Sequence, residues 1–209
     1  INLIMSPEIT EKFNLANELF SIKGYPSPLI EVEIDGQNVF VKRDDQLYLK
    51  CSKQRSIPLM IYEHMKMGAN KFVVSSSGNA ALVAAFCAMK SQANFELEVY
   101  FSNYISDAKL SHIFNILEIS REKNNLRANK ILKVGKVTFI LSEDPKQKAF
   151  QKAREDSFIN LRGSTDDYAI DGFSSIADEL NEQIGEDVDA VFVAASSGKT
   201  AIGFAKGFQ

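Results

Sequence analysis

Short β-branched runs alternate with helical stretches along most of this chain, and that alternation restricts the fold more than any other feature. Lys71–Ser75 (KFVVS), Leu97–Phe101 (LEVYF), Lys136–Leu141 (KVTFIL) and Val188–Val193 (VDAVFV) have the composition of buried strands. Segments 56–68, 79–90, 107–122, 144–156 and 172–184 read as helices between or after them. In the last of these, Phe173, Ile176, Leu180 and Ile184 recur at spacings of three and four, and Gly185 stands where a left-handed C-cap belongs. Strand and helix in alternation imply an α/β fold: open, mostly parallel sheets with helices on both faces. Ahead of this region, Pro7 to Ile22 reads as a helix stopped by Gly24 and Pro26. Two extended runs, Leu29–Ile34 and Val39–Lys42, flank the turn dipeptide Asp35-Gly36 and read as a hairpin or as adjacent strands. The polar stretch 121–130 (REKNNLRANK) is expected to be a surface insertion.

Charge and residue usage narrow the function classes. Twenty-four Lys and Arg against 27 Asp and Glu give a net charge of -3, which argues against a general grip on nucleic acid or an anionic membrane. No apolar run approaches the roughly 20 residues needed to span a bilayer. Two cysteines (Cys51, Cys87) and two histidines (His64, His112) argue against a disulfide framework, a metal site or a Ser-His-Asp triad, and point to a reducing cytoplasm.

Parallel α/β sheets bind ligands where strands turn into helices, so those turns are the places to search. Ser75-Ser76-Ser77-Gly78-Asn79 follows KFVV and opens an Ala-rich helix. Small residues there admit a ligand to the backbone amides, and the same residues also serve as ordinary helix caps. Ser196-Ser197-Gly198-Lys199-Thr200 is a second turn of this kind, suited to a phosphate or to simple capping. Its Gly-Lys-Thr is not a nucleotide P-loop, because the glycine required upstream is missing from the Val193-Ala194-Ala195 region. A third feature is Lys42-Arg43-Asp44-Asp45 followed by Cys51-Ser52-Lys53-Gln54-Arg55. By itself such a charge run is a solvated surface. A lysine in it becomes a nucleophile only if burial or a neighbouring cation, such as Arg55, takes its proton near neutral pH.

In this order the three features resemble the tryptophan-synthase-β-like pyridoxal-phosphate enzymes of fold type II, closest to the threonine synthase and cysteine synthase branch. Ser27-Pro28-Leu29 resembles the family's entry, Val41–Asp45 its KRED-like strand, and Lys50–Arg55 its GSFKDR-like turn. Ser76–Asn79 matches its SSGN, Asp171-Gly172-Phe173 through Glu179 its EGY-type helix, and Ser196–Thr200 its phosphate loop. The resemblance covers almost the whole chain. It implies pyridoxal 5'-phosphate as cofactor, bonded to Lys53, which would also act as acid and base at the substrate α-carbon. Asn79 would bind the pyridine 3-oxygen, and Ser76, Ser77 and Gly78 the substrate carboxylate. Ser196, Ser197, Gly198 and Thr200 would hold the cofactor phosphate. The chain departs from the family at Lys50, Cys51 and Gln54 in the lysine turn, and at Ser196 and Lys199 in the phosphate loop.

The expectation is therefore a lyase or synthase acting on an amino acid by β- or γ-elimination or replacement. It would be a homodimer with no nucleic-acid or membrane partner and no metal. Its larger cofactor lobe would comprise 1–55 with 159–209, incomplete at the C-terminus, and its smaller mobile lobe 56–158. Two rival readings stand beside it: a catalytically silent or fragmentary domain that binds a metabolite or partner, and an aminocyclopropane-carboxylate deaminase or desulfhydrase. The latter family normally carries SNH where this chain has SGN.

Overall fold

The computed structural model describes residues 7–184 and 188–208. A five-stranded sheet is built from β3 (Lys71–Ser75), β4 (Glu96–Ser102), β5 (Ile131–Val134), β6 (Val137–Ser142) and β7 (Ile159–Asn160), in the order β5-β6-β4-β3-β7. The pairings of β6, β4, β3 and β7 are parallel, and only the edge pair β5–β6 is antiparallel. The near-continuous apolar strands follow from cover on both faces. Phe72, Val74, Leu97, Val99, Phe101, Val137, Phe139 and Leu141 point into the main core with α3 (Asn79–Lys90). Val73, Tyr100 and Ile140 point the other way, onto Ala149 of α6 (Pro145–Glu155) and onto Phe158.

Outside this sheet, β1 (Leu29–Ile34) and β2 (Gln37–Lys42) form the expected hairpin in its antiparallel version. Asp35 and Gly36 both take positive φ, as a two-residue turn with the right twist requires. The helix α1 (Pro7–Leu19), the helix α2 (Lys53–Lys66) and the helix α7 (Tyr168–Ile184) pack on one another, and α8 (Lys199–Gly207) lies along α7. Two glycines set that contact. A Cβ on Gly203 would stand 2.5 Å from the Phe173 Cβ, and one on Gly207 would stand 2.5 Å from the Ala177 Cβ.

Three expectations need correction or extension. Residues 188–195 form no strand: neither sheet of the described residues includes them, and Phe192 is 95% exposed. The stretch 121–130 is not a mere insertion but includes α5 (Lys123–Asn129), which buries Leu126 completely. Its Arg127 donates to the Ile105 carbonyl at 2.5 Å and to Asp107 at 2.8 Å. The helix expected over 107–122 stops early, as α4 (Asp107–Ile116), where Glu118 turns to positive φ. The C-cap expected at Gly185 lies outside the described residues. Among the described residues no helix is long and apolar enough to cross a membrane.

Candidate functional site

Lys53 is the first residue of α2, and the turn leading to it explains two of the departures noted in the sequence. Lys50 sits at φ +58°, in the left-handed region that glycine favours. Gln54 is fully buried and bridges two chain segments, accepting from the Leu49 amide at 2.7 Å and donating to the Lys23 carbonyl at 2.8 Å. Cys51 is buried, and burial pushes its thiol above the ordinary range, so it stays neutral. Lys53 itself is half-buried, with Nζ 5.1 Å from the centre of the Phe173 ring. Burial draws its ammonium below the usual lysine range. Among the described residues no carboxylate pairs with it.

The neighbouring cation expected to assist Lys53 does something else. The Arg55 side chain is wholly buried, and its guanidinium lies against Asp44 at 2.7 Å and Glu179 at 2.7 Å. It also donates to Ser27 Oγ at 2.9 Å and Ser175 Oγ at 3.0 Å. Lys42 completes the group, 2.6 Å from Glu179 and 2.7 Å from the Ser27 carbonyl. Two cations and two carboxylates thus balance inside the molecule. Burial pushes the Glu179 carboxyl up, but the bonds from Arg55 and Lys42 outweigh it and hold the group below the ordinary glutamate range. The charge run is therefore divided: Lys42 and Asp44 join this network, while Arg43 pairs with Asp45 at the surface at 2.7 Å. Ser175 and Gln183, the latter accepting from Lys42 at 2.6 Å, carried no signal in the sequence beyond ordinary polarity, and Ser27 stood out only within the Ser27-Pro28-Leu29 entry.

The network fixes α2 against α7. At Gly172 the two helices touch so closely that a Cβ would stand 2.3 Å from the Arg55 carbonyl oxygen. The next residue on α7 is Phe173, whose ring faces Lys53 and whose Cβ faces Gly203 of α8. Lys53, α7 and α8 are joined through that one aromatic side chain.

Neither of the two helix starts is capped by a side chain. Gly78 is the N-cap of α3 and Gly198, at φ +80°, that of α8. Ser76 Oγ accepts from the Gly78 amide at 3.2 Å, just outside the helix. The capping alternative is thus not realised in the structure, and Ser77, Asn79, Ser196 and Ser197 are exposed at these two helix starts. Gly78 and Thr200 are half-buried at these starts. Lys199 reaches back to Asp167, ahead of α7, at 2.6 Å. Among the described residues no hydrogen bond links the Ser76–Asn79 turn to Lys53 or to 196–200. A groove of 510 Å³ between α7 and α8, lined by Tyr168, Ile170, Ile202 and Ala205 among others, includes none of these candidates.

The fold and site together define an α/β protein with two anion-suited helix starts and one half-buried, unpaired lysine. Residues 21–209 match the family model described as pyridoxal-phosphate dependent enzyme, and the chain belongs to that family. Solved structures agree on the fold. Diaminopropionate ammonia lyase from Escherichia coli superposes with a TM-score of 0.70 at 17% identity, covering 99% of this chain and 61% of its own. Cysteine synthase from Entamoeba histolytica gives 0.70 at 14% identity, covering 91% and 56%. Threonine deaminase isoform 2 from Solanum lycopersicum gives 0.69 at 20% identity, covering 97% and 53%. The chain therefore spans between about half and three-fifths of the length of these proteins. A search of the curated proteins found no match. The residues present fit the family's cofactor. Lys53 is unpaired and partly dry, Lys50 holds the glycine-like turn, and uncapped amides stand at Gly198.

Proposed function

We propose that this chain carries the site of a pyridoxal-phosphate-dependent lyase or synthase acting on an amino acid by β- or γ-elimination or replacement, of the threonine synthase or cysteine synthase kind. The observation that carries the reading is Lys53, a half-buried amine at a helix start with no carboxylate to hold its proton. When bound, the cofactor would supply the electron sink for charge developing at the substrate α-carbon. Lys53 would hold the cofactor and then move the α-proton. Asn79 would orient the ring through its 3-oxygen. Ser76, Ser77 and the amides after Gly78 would hold the substrate carboxylate. Ser196, Ser197, Gly198 and Thr200 would take the phosphate, and Lys199 would hold that loop to Asp167. The division into lobes 56–158 and 1–55 with 159–209, and a homodimer, belong to the same proposal.

The rival reading, a catalytically silent domain of this family, is favoured by the lead into the phosphate loop. Residues 188–195 lie outside any strand and leave Phe192 95% exposed. One experiment separates the two. Protein mixed with pyridoxal phosphate is treated with borohydride, digested and analysed by mass spectrometry. The expected result is a stable label on the peptide holding Lys53, absent from Lys53→Arg. Label elsewhere, or none, selects the silent domain.

A further inference from the structure

On α2 and the helices packed around it, the following charged groups are engaged with one another. On its own helix, Arg55 turns away into Asp44 and Glu179. On α7, Asp171 pairs with Lys206 of α8, and Glu179 is taken by Arg55 and Lys42. Asp167, ahead of α7, pairs with Lys199, and on α1 Lys12 pairs with Glu8 at 2.7 Å and lies 3.9 Å from Glu63. Cys51 is neutral and buried. What faces the Lys53 ammonium is the ring of Phe173, whose centre lies 5.1 Å away.

That ring is held from two sides. Phe173 is 1% exposed, Gly203 of α8 closes on its Cβ, and Gly172 beside it is pressed against the Arg55 carbonyl. The ring is thus enclosed where α2, α7 and α8 meet. A cation over the face of an aromatic ring is attracted by the ring quadrupole, and the neutral amine is not. We propose that Phe173 is the positioning residue of Lys53: its ring seats the ammonium in one place and restrains the loss of its proton. Burial alone favours the free amine, and the ring opposes it, so the two together set how much free amine is present near neutral pH. This inference rests on the reading of Lys53 as the reacting lysine, and it assigns to α7 the control of that residue.

Truncating Phe173 would collapse a packed core, so the test keeps its shape. Phenylalanines with one, two, three and five ring fluorines are placed at position 173, which weakens and then reverses the quadrupole at nearly constant volume. Lysine labelled with 13C at Cε is titrated by NMR without cofactor, and Lys53→Arg identifies the resonance. The Lys53 midpoint is expected to fall stepwise with fluorine number, by about 0.5 to 1 pH unit in total, while the other lysines stay put. A midpoint that does not move, or moves without order, overturns the proposal, since packing alone is insensitive to ring charge. Borohydride labelling on the same proteins tests the parent reading separately. Ordered titration without Lys53 label removes the enzyme reading and leaves the ring as partner of Lys53. Label with an unmoved titration removes the ring.

Discussion

Replacing Arg55 by methionine tests whether the buried ion network holds the start of α2 in place. Methionine nearly fills the volume of the arginine stem but removes six hydrogen bonds, to Asp44, Glu179, Ser27 and Ser175. Removing one partner of a buried charge group costs about 3–5 kcal/mol, because the remaining charges lose their compensation. Two features put this case at the lower end. Glu179 keeps Lys42 at 2.6 Å, and the Asp44 side chain is 17% exposed, so water reaches it. The expected loss is about 3 kcal/mol, a large share of a typical total stability of about 5–15 kcal/mol. For a chain of this size that lowers Tm by roughly 6–12 °C. Urea unfolding followed by circular dichroism measures it, with Glu179→Met and the double variant completing the cycle. The double variant should lose at least about 1 kcal/mol less than the two singles added, since each single leaves the other group uncompensated. A loss below about 1 kcal/mol in Arg55→Met, or strict additivity, would refute the reasoning.

Three further outcomes follow from the same geometry. Gly172→Ala drives a Cβ to 2.3 Å from the Arg55 oxygen and 2.7 Å from the Ser56 Cα, both backbone, and should cost about 2–3 kcal/mol in urea unfolding. A loss under about 0.5 kcal/mol would show that the helices can separate freely there. Lys50→Gly relieves a left-handed residue, worth roughly 1–2 kcal/mol, against about 0.5–1 kcal/mol of added chain entropy; a small rise in urea midpoint is expected, and a fall contradicts it. On acidification, Glu179 contributes stability that is fully present above its unfolded value near 4.5 and is lost as pH falls through its lower folded value. Unfolding free energy should therefore decline below about pH 4.5, and the decline should be shallower in Glu179→Gln.

Much of the fold was legible because it depends on local periodicity. The strand at Lys71–Ser75 forms as expected, and those at Leu97–Phe101 and Lys136–Leu141 shift by a residue at their ends, since apolar β-branched runs covered on both faces have little alternative. The hairpin was legible through Asp35-Gly36. Val188–Val193 has the same composition yet forms no strand, because a strand is completed by its neighbour's backbone and no composition supplies that neighbour. The helix at 123–129 was hidden for the opposite reason. Its polar sequence shows no apolar stripe, and one side chain, Leu126, docks it. The two-residue β7 is too short for any pattern.

The candidate residues could be named from the sequence, but their electrostatics could not. Lys53, the two hydroxyl-rich turns and the acidic residue on α7 could be picked out by motif, but the contacts of Glu179 with Arg55 and Lys42 span more than a hundred residues. Arg55 illustrates this. In the sequence it stands two positions from Lys53 and reads as the cation that would weaken its proton. On a helix, however, side chains two apart diverge by about 200°, so the two cannot share a face. Arg55 points into Asp44 and Glu179, and its charge is compensated where Lys53 does not feel it. Lys53 is left to burial and the Phe173 ring. The carboxylates Asp44 and Glu179 thus lie on the Arg55 side of α2, away from the side that carries Lys53, and the arginine nearest the lysine in sequence belongs to a separate electrostatic unit.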